Sequence, residues 1–207
     1  GFWRGVNVNQ NAVYLECFMD EMAAAAGRDP LEFRLAHLKN SPKSAAVLKA
    51  VAQKSGWGSG DGKSRGLALF HAFGSYVAAC ADVTVDGSGD LSINRIVAAT
   101  DCGTAVNPQQ IEAQIEGSFV YGLSAALYGE ITYENGQVQQ DNFHTYPSMR
   151  IKDMPEVHSI VMPSGGFYGG VGEPTISVAA PAVLNAIFAA TGTRIRTLPL
   201  KDQKLRA

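Results

Sequence analysis

Residues 66–85 read GLALFHAFGSYVAACADVTV, residues 86–90 read DGSGD, and residues 91–99 read LSINRIVAA. The first and third stretches are apolar and carry few charges, and the first contains three valines, which is typical of strands. The short Asp/Gly/Ser segment between them is a turn signal. The sequence therefore predicts a β-hairpin of two long strands, residues 66–85 and residues 91–99.

Helical patterns precede this hairpin. Residues 11–26 carry apolar side chains at roughly helical spacing with acidic side chains between them, and Gly27 is a plausible end for that helix. Asp29-Pro30 and Ser41-Pro42 each combine a capping residue with a proline in the first turn. They predict two further helices, the second of which runs to about Lys54.

Mixed signals follow the hairpin. Residues 109–127 predict a helix with one apolar stripe, and Asn135-Gly136 predicts the turn of a second hairpin. The other predicted elements are a strand over residues 157–162, a helix over residues 179–191 that ends at Gly192, and a last strand over residues 194–198. No regular βαβ repeat is present. The fold class predicted is α+β, with mixed helices and mostly antiparallel strands in two lobes.

Composition limits the class of protein. The chain has 207 residues, 46% of them hydrophobic, which is enough for one large domain or two small lobes. The formal net charge is −2 and no long basic run is present, so we expect no nucleic-acid partner. No stretch is expected to cross a membrane, because charges or glycine clusters interrupt the apolar runs. The chain lacks an initiator Met, and we expect a piece of something longer.

The cysteines give no sign of a metal site. Cys17, Cys80 and Cys102 form no CxxC pair and no short ligand spacing. We expect three buried thiols that behave as small apolar residues. No metal-ligating residue is therefore predicted in this chain.

The segment Gly169-Gly170-Val171-Gly172-Glu173-Pro174 carries the best candidate for chemistry. Glu173 is the only formally charged side chain between residues 157 and 193. The glycines before it allow close backbone approach, and Pro174 favours an extended conformation at Glu173. A carboxylate in apolar surroundings accepts a proton more readily than one in water, which suits a general base. A solvated glutamate at a surface turn is the alternative.

A family resemblance favours the first interpretation. Gly-Val-Gly-Glu-Pro at residues 170–174, followed by AAPAVLNAI at residues 179–187 and by an Arg-x-Arg at residues 194–196, resembles the C-terminal signature of the xanthine oxidase and aldehyde oxidoreductase family. The resemblance implies the α+β molybdenum-cofactor-binding domain of that family. It also implies that Glu173 is the catalytic base beside molybdenum.

Further segments resemble the family in the same order. Trp3-Arg4-Gly5 resembles an element that lies against the pterin, and Ser75–Cys80 resembles a strand whose alanines pass close to the metal. Residues 101–117 resemble the run that leads into a cofactor-side helix. The cofactor-binding residues that the resemblance implies are Arg4, Gly5, Ala78, Ala79, Gln114 and Gly172. It also implies a division into a helical segment of the cofactor-binding domain, residues 1–58, and an α+β part, residues 59–207. The second part carries the segment Gly169–Pro174, which we call the glutamate loop.

The subgroup that the chain resembles most is that of the large chain of isoquinoline 1-oxidoreductase and of the membrane-bound aldehyde dehydrogenases. Family members that convert xanthine have a phenylalanine after the Arg-Gly pair, and Val6 stands there in this chain. An aliphatic side chain cannot stack on a purine, so Val6 is expected to line the pocket of another substrate. The family's Gly-Gln-Gly pterin contact is absent from these 207 residues. We therefore expect the cofactor to be shared with an upstream region.

The resemblance implies a molybdenum-dependent oxidoreductase that oxidises an aldehyde or an N-heteroaromatic carbon and takes its oxygen from water. The implied cofactor is molybdenum–molybdopterin, in its cytosine dinucleotide form, and the isolated fragment is expected to be inactive. The implied partners are the rest of the large subunit, an iron–sulfur small subunit, a small-molecule substrate and, as an option, a cytochrome c subunit. The subgroup favours a periplasmic or membrane-associated location over a cytoplasmic one. The alternative is a non-catalytic structural fragment, or a degenerate paralogue that keeps the fold without metal.

Overall fold

The computed structural model describes residues 2–205, apart from the side chain of residue 202. Its helices are α1 (Val8–Ala25), α2 (Pro30–His37), α3 (Pro42–Ser55), α4 (Pro108–Tyr128) and α5 (Ala179–Thr191). Its strands are β1 (Ser64–Ala72), β2 (Ser75–Val85), β3 (Leu91–Asp101), β4 (Tyr133–Glu134), β5 (Gln137–Val138) and β6 (Glu156–Val161). Short 3-10 helices cover Ile151–Asp153, Pro174–Val178 and Leu200–Asp202.

One four-stranded sheet organises the fold, with the strand order β1-β2-β3-β6. The β1–β2 and β2–β3 pairs are antiparallel, whereas β6 pairs parallel to β3. The strands β4 and β5 form a separate antiparallel hairpin around Asn135-Gly136. The predicted α+β class with mostly antiparallel strands is confirmed.

The predicted long hairpin is wrong in one respect, because its first strand is two strands. The chain turns at Phe73-Gly74, where φ is +52° and +78°. Two central residues with positive φ suit the tight turn of an antiparallel hairpin, and glycine adopts that conformation without steric cost. Phe73 adopts it as a bulky residue, which is unusual. Because the turn contains an apolar Phe73 in place of a typical turn residue, the apolar pattern of the sequence continues across it and the turn was not predicted.

Helices cover both faces of the sheet, and successive residues of a strand face opposite sides. Helices α4 and α5 pack on one face, where the buried side chains include Val77, Ala79, Ile96, Ile115, Phe119, Leu123, Val183 and Ile187. Helix α3 packs on the other face, against Leu67, Ala78, Cys80, Val97 and Ala99 through Val47, Leu48 and Val51. The central strands are thus enclosed on both sides, as their apolar sequences require.

Capping explains several helix boundaries. Asp29 accepts hydrogen bonds from the backbone amides of Leu31 (2.8 Å) and Glu32 (3.0 Å), which confirms its predicted role at the start of α2. Gly192 ends α5 with a left-handed φ of +72°, as predicted.

The predicted last strand over residues 194–198 is wrong, since this segment adopts no regular structure. Its side chains form ion pairs with α1 instead.

A buried ionic network attaches this segment and α2 to α1. Nε of Arg34 donates to Glu16 at 2.9 Å, and Nη1 of Arg194 donates to Asp20 at 2.7 Å. Arg34 is 2% exposed, and the two carboxylates are 4% exposed each. Burial raises the pKa of Glu16, while the adjacent Arg34 acts in the opposite direction. The pairing therefore compensates charges that the fold has removed from water.

Close contact between β1 and α5 fixes the position of the C-terminal helix. A Cβ on Gly66 would lie 2.1 Å from the backbone nitrogen of Ala186, so only glycine fits there. The segment Pro174–Thr191 is apolar and long enough to cross a membrane, contrary to the prediction, but 72% of it is buried within this fold. Packing against the sheet accounts for its composition.

The predicted division of the chain at residue 58 stays a prediction.

Candidate functional site

The glycine-rich loop before Glu173 is fixed to the ends of β1, β2 and β3. The amide of Gly169 donates to the carbonyl of Cys102 (2.7 Å), and the amide of Gly170 donates to the carbonyl of Phe73 (2.8 Å). The hydroxyl of Ser75 donates to the carbonyl of Gly170 at 2.6 Å. A Cβ on Gly169 would lie 2.5 Å from the carbonyl oxygen of Gly74, so the two backbones touch. The glycines therefore provide backbone contact, as predicted from the sequence.

Two hydrogen bonds join the N-terminal turn to the end of this loop. The backbone amide of Gly5 donates to Oε1 of Glu173 at 2.9 Å. Nε of Arg4 donates to the carbonyl oxygen of Gly172 at 2.7 Å. We call this pair of contacts the Arg4–Gly5 clamp. It fixes both the carboxylate and the backbone immediately before it.

The far side of the Arg4 guanidinium is bound to α4. Nη2 donates to Oε1 of Gln114 (2.9 Å), to the hydroxyl of Ser118 (3.0 Å) and to the carbonyl of Gln114 (3.2 Å). Burial lowers the pKa of Arg4, and the negative charge of Glu173 opposes that effect. Arg4 thus connects α4 to the glutamate loop and interacts electrostatically with the carboxylate.

The conformation of the N-terminal turn depends on Gly5 and Val6, which both have positive φ, at +86° and +45°. The turn is closed by a hydrogen bond from the amide of Val6 to the carbonyl of Trp3 (2.8 Å). The side-chain amide of Asn9 donates to the carbonyl of Arg4 at 2.7 Å. Positive φ at a β-branched residue is strained, and such strain is concentrated at functional sites.

Most of the predicted site residues meet at this point. Arg4, Gly5, Gln114, Gly172 and Glu173 are joined by the hydrogen bonds above. Glu173 is half-buried, so a fully solvated surface turn does not describe it. Its φ of −124° and ψ of −36° are not extended. The extended conformation predicted from Pro174 is therefore wrong, because Glu173 directly precedes the 3-10 helix Pro174–Val178.

Ala78 and Ala79 lie elsewhere. Both side chains are 0% exposed in the middle of β2, and they belong to the cores on opposite faces of the sheet. Such side chains have no accessible surface with which to touch a ligand. Their cofactor-binding role stays a prediction, and the geometry gives it no support.

Ser118 is a site residue that sequence reasoning missed. It is fully buried on α4 and contacts Arg4, yet a lone serine within a helix gives no pattern in a sequence. Only the approach of residue 4 to α4 in the fold shows its role.

An open groove of about 950 Å³ lies beside the clamp. It runs between α1, α4 and the segment after α5, and its lining includes Trp3, Asn9 and Ile176 next to Gly5. Glu173 is not part of this lining within the described chain. The carboxylate therefore does not line this groove.

Comparison with known proteins identifies the family. Residues 5–155 match the model of the molybdopterin cofactor-binding domain. This chain belongs to that family. The predicted place among xanthine oxidase-family proteins is confirmed, and the match includes Gly5 and Gln114.

Two curated relatives show the subgroup. The chain is 34% identical to the beta chain of the isoquinoline 1-oxidoreductase of Brevundimonas diminuta, over 97% of this chain and 26% of the relative. It is 33% identical to a chain of the nicotinate dehydrogenase of Pseudomonas putida, over 99% of this chain and 19% of the relative. The predicted subgroup is confirmed. The chain spans about a quarter of the length of these relatives or less.

Solved structures agree on the fold. The aldehyde oxidoreductase of Desulfovibrio gigas matches 96% of the chain and 41% of its own, with a TM-score of 0.68 and 16% identity. The quinoline 2-oxidoreductase of Pseudomonas putida matches 61% of the chain and 17% of its own, with a TM-score of 0.56 and 25% identity. The chain therefore has the fold of a molybdopterin-binding part of an oxidoreductase.

Proposed function

We propose that this chain is the catalytic-base part of a molybdenum hydroxylase that oxidises an aldehyde or an N-heteroaromatic carbon, with water as the source of oxygen. The observation that carries the proposal is the hydrogen bond from the amide of Gly5 to Glu173 at 2.9 Å. It orients a half-buried carboxylate beside an arginine, in a family that binds molybdopterin. A fixed, correctly oriented carboxylate is what general-base catalysis requires.

The residues around Glu173 fit the cofactor. Nη1 of Arg4 and Nε2 of Gln114 donate to none of the residues 2–205 that the structure describes, although both groups lie at the clamp. They offer a cationic and a neutral donor to a phosphorylated, acceptor-rich pterin. When bound, the molybdenum–molybdopterin cofactor supplies the two-electron redox chemistry. We infer its cytosine dinucleotide form from the subgroup.

The chain's own contribution is proton transfer and orientation. Oε1 of Glu173 accepts the Gly5 hydrogen bond, and Oε2 has no partner in the described part of the chain, so Oε2 is the oxygen available to take a proton. The amide of Gly5 restricts rotation of the carboxylate, and Arg4 fixes the backbone carbonyl of Gly172, the residue before Glu173. Because the carboxylate is already oriented, less conformational entropy is lost when it meets the group whose proton it takes.

Val6 supports a substrate other than a purine. Its side chain is half-buried in the N-terminal turn, next to the amide that binds Glu173. An aliphatic group there offers apolar contact without ring stacking. The names of the relatives include isoquinoline and nicotinate, which favours an N-heteroaromatic substrate. An aldehyde is the second class, in line with the aldehyde oxidoreductase fold.

The chain's share of its relatives supports a larger assembly. Since it spans 26% of one relative and 19% of another, we assign the rest of the cofactor contacts to a further part of the large subunit. An iron–sulfur small subunit would remove the electrons, with a cytochrome c subunit as an option. We expect the isolated chain to be inactive, and we favour a periplasmic or membrane-associated location.

Glu173→Gln in the full-length, cofactor-loaded enzyme tests the base. Turnover of isoquinoline, nicotinate and benzaldehyde should fall at least about 100-fold, because removal of a general base costs about 10²–10⁴. Glu134→Gln in the exposed β4 is the matched control and should keep normal turnover. Near-normal turnover of the Glu173 variant would end the assignment. Molybdenum analysis of the wild-type complex separates the enzyme from the alternative, a metal-free structural paralogue.

A further inference from the structure

Ser118 is a fully buried hydroxyl with a defined orientation. It lies on α4, one turn after Gln114, and is 0% exposed. Its Oγ donates to the carbonyl of Gln114 at 2.7 Å and accepts from Nη2 of Arg4 at 3.0 Å. Because the single hydroxyl proton is used on the carbonyl, the lone pairs of Oγ face the guanidinium.

The planar guanidinium of Arg4 links Ser118 to the glutamate loop. Its nitrogens lie in one rigid plane, so fixing Nη2 also fixes the direction of Nε. Nε is the atom that donates to the carbonyl of Gly172 at 2.7 Å, directly before Glu173. A chain of two hydrogen bonds therefore runs from the interior of α4 to the backbone of the candidate base.

We propose that Ser118 is a positioning residue for Glu173, acting through Arg4. This inference rests on the proposed function, since it assigns Ser118 a role only if Glu173 takes the proton. The hydrogen bonds of Ser118 go to Arg4 and to the carbonyl of Gln114, and none goes to the carboxylate of Glu173. It holds the cation that fixes the Arg4–Gly5 clamp.

A role limited to helix stability does not explain Ser118. A serine hydroxyl that bonds to the carbonyl four residues earlier slightly destabilises a helix. Ser124 makes the same type of bond on the same helix, to the carbonyl of Val120 at 2.6 Å. Its Oγ accepts from the backbone amide of Met149 at 3.0 Å and from no arginine in the described chain. Ser124 therefore reproduces the local helix chemistry of Ser118 without its link to the site, and it is the matched control.

Ser118→Ala in the full-length, cofactor-loaded enzyme should lower kcat about tenfold and leave KM nearly unchanged. The loss of one hydrogen bond to a charged group changes an equilibrium constant about tenfold or more. The remaining contacts of Arg4 with Gln114 keep the loss at the lower end. Ser124→Ala should change neither kcat nor KM.

Amide hydrogen exchange provides a measurement independent of turnover. In the same full-length enzyme, the peptide that contains the Gly5 amide should exchange faster in Ser118→Ala and at the wild-type rate in Ser124→Ala. Unchanged exchange at Gly5, or equal effects of the two substitutions, would overturn the positioning role. If Glu173→Gln abolishes turnover while Ser118→Ala behaves as wild type, only this inference fails. If Glu173→Gln is active, the proposed function fails first.

Discussion

Gly5 and Glu173 are separated by 168 residues of sequence, yet the amide nitrogen of one lies 2.9 Å from Oε1 of the other. A backbone donor cannot be removed by changing a side chain, so the position of this donor depends on the conformation of the turn. That conformation requires a φ of +86° at residue 5. The orientation of the candidate base therefore depends on a glycine.

Gly5→Ala should disrupt the site. A Cβ there would lie 2.5 Å from Oδ1 of Asn9 and 2.6 Å from Cγ2 of Ile176, in addition to the strain of positive φ. Backbone strain and overpacking cost about 1–3 kcal/mol each, so we expect a loss of about 3 kcal/mol in unfolding free energy. Turnover should fall at least about tenfold.

Gly60→Ala is the control for backbone strain, because Gly60 also has positive φ (+70°) but open space around its would-be Cβ. It should cost only about 1–2 kcal/mol and leave turnover unchanged. Denaturant unfolding and steady-state kinetics of both full-length variants provide the comparison. Equal losses for the two would show that the surroundings of residue 5 contribute nothing.

Arg34→Met should be strongly destabilising. Arg34 is 2% exposed and pairs with Glu16 at 2.9 Å and with Asp20 at 3.4 Å, so its removal leaves buried carboxylate charge uncompensated. Breaking a buried pair in this way costs about 3–5 kcal/mol. Equilibrium denaturation measures the loss. The exposed Arg28 is the control, and Arg28→Met should cost less than about 1 kcal/mol.

Asp61 should contribute a pH-dependent part of the stability. A hydrogen bond from Arg65 lowers the pKa of Asp61 from 3.8 to about 2. Because the folded state has the lower pKa, the stabilisation is complete above pH 3.8 and is lost as the pH falls toward 2. Asp61→Asn should therefore lower the denaturation midpoint at pH 6 more than at pH 3. A difference that does not change with pH would contradict this expectation.

The cysteines should resist alkylation in the folded protein. Burial raises the pKa of Cys17 to about 12 and that of Cys80 to about 11, so neither thiol is ionised at pH 8. Only the thiolate reacts with iodoacetamide at a useful rate. Peptide mapping should find both cysteines unmodified in the native enzyme and fully modified after denaturation. Cys17 is half-buried rather than buried as predicted and lines the groove, so its rapid native labelling would contradict the raised pKa of its thiol.

Local signals predicted much of the fold. The bounds of α5, residues 179–191, follow from a continuous apolar pattern ended by a glycine, and Asp29-Pro30 marks the start of α2 as expected. The β1–β2 turn was missed because Phe73 adopts positive φ, which its side chain does not favour. Residues 194–198 alternate like a strand, but the alternation of Arg194 and Arg196 serves ion pairs with α1.

The site was predictable only where a family motif carries it. Glu173, Arg4 and Gln114 stand in recognisable motifs, and the structure joins them through hydrogen bonds. Ser118 could not be found, because its significance arises from a contact across 114 residues. The adjacent alanines of β2 show the converse limit. A resembling motif placed them beside the metal, but alternation along the strand directs them to opposite cores.

The two halves of the Arg4–Gly5 clamp are made at different times during synthesis. Residues 4 and 5 leave the ribosome before Glu173, and the carboxylate that they hold follows 168 residues after Gly5. A nascent chain that stops before the glutamate loop therefore contains the turn but not the carboxylate that the turn binds. The hydrogen bond between Gly5 and Glu173 forms only when translation has passed the loop and the loop reaches the turn.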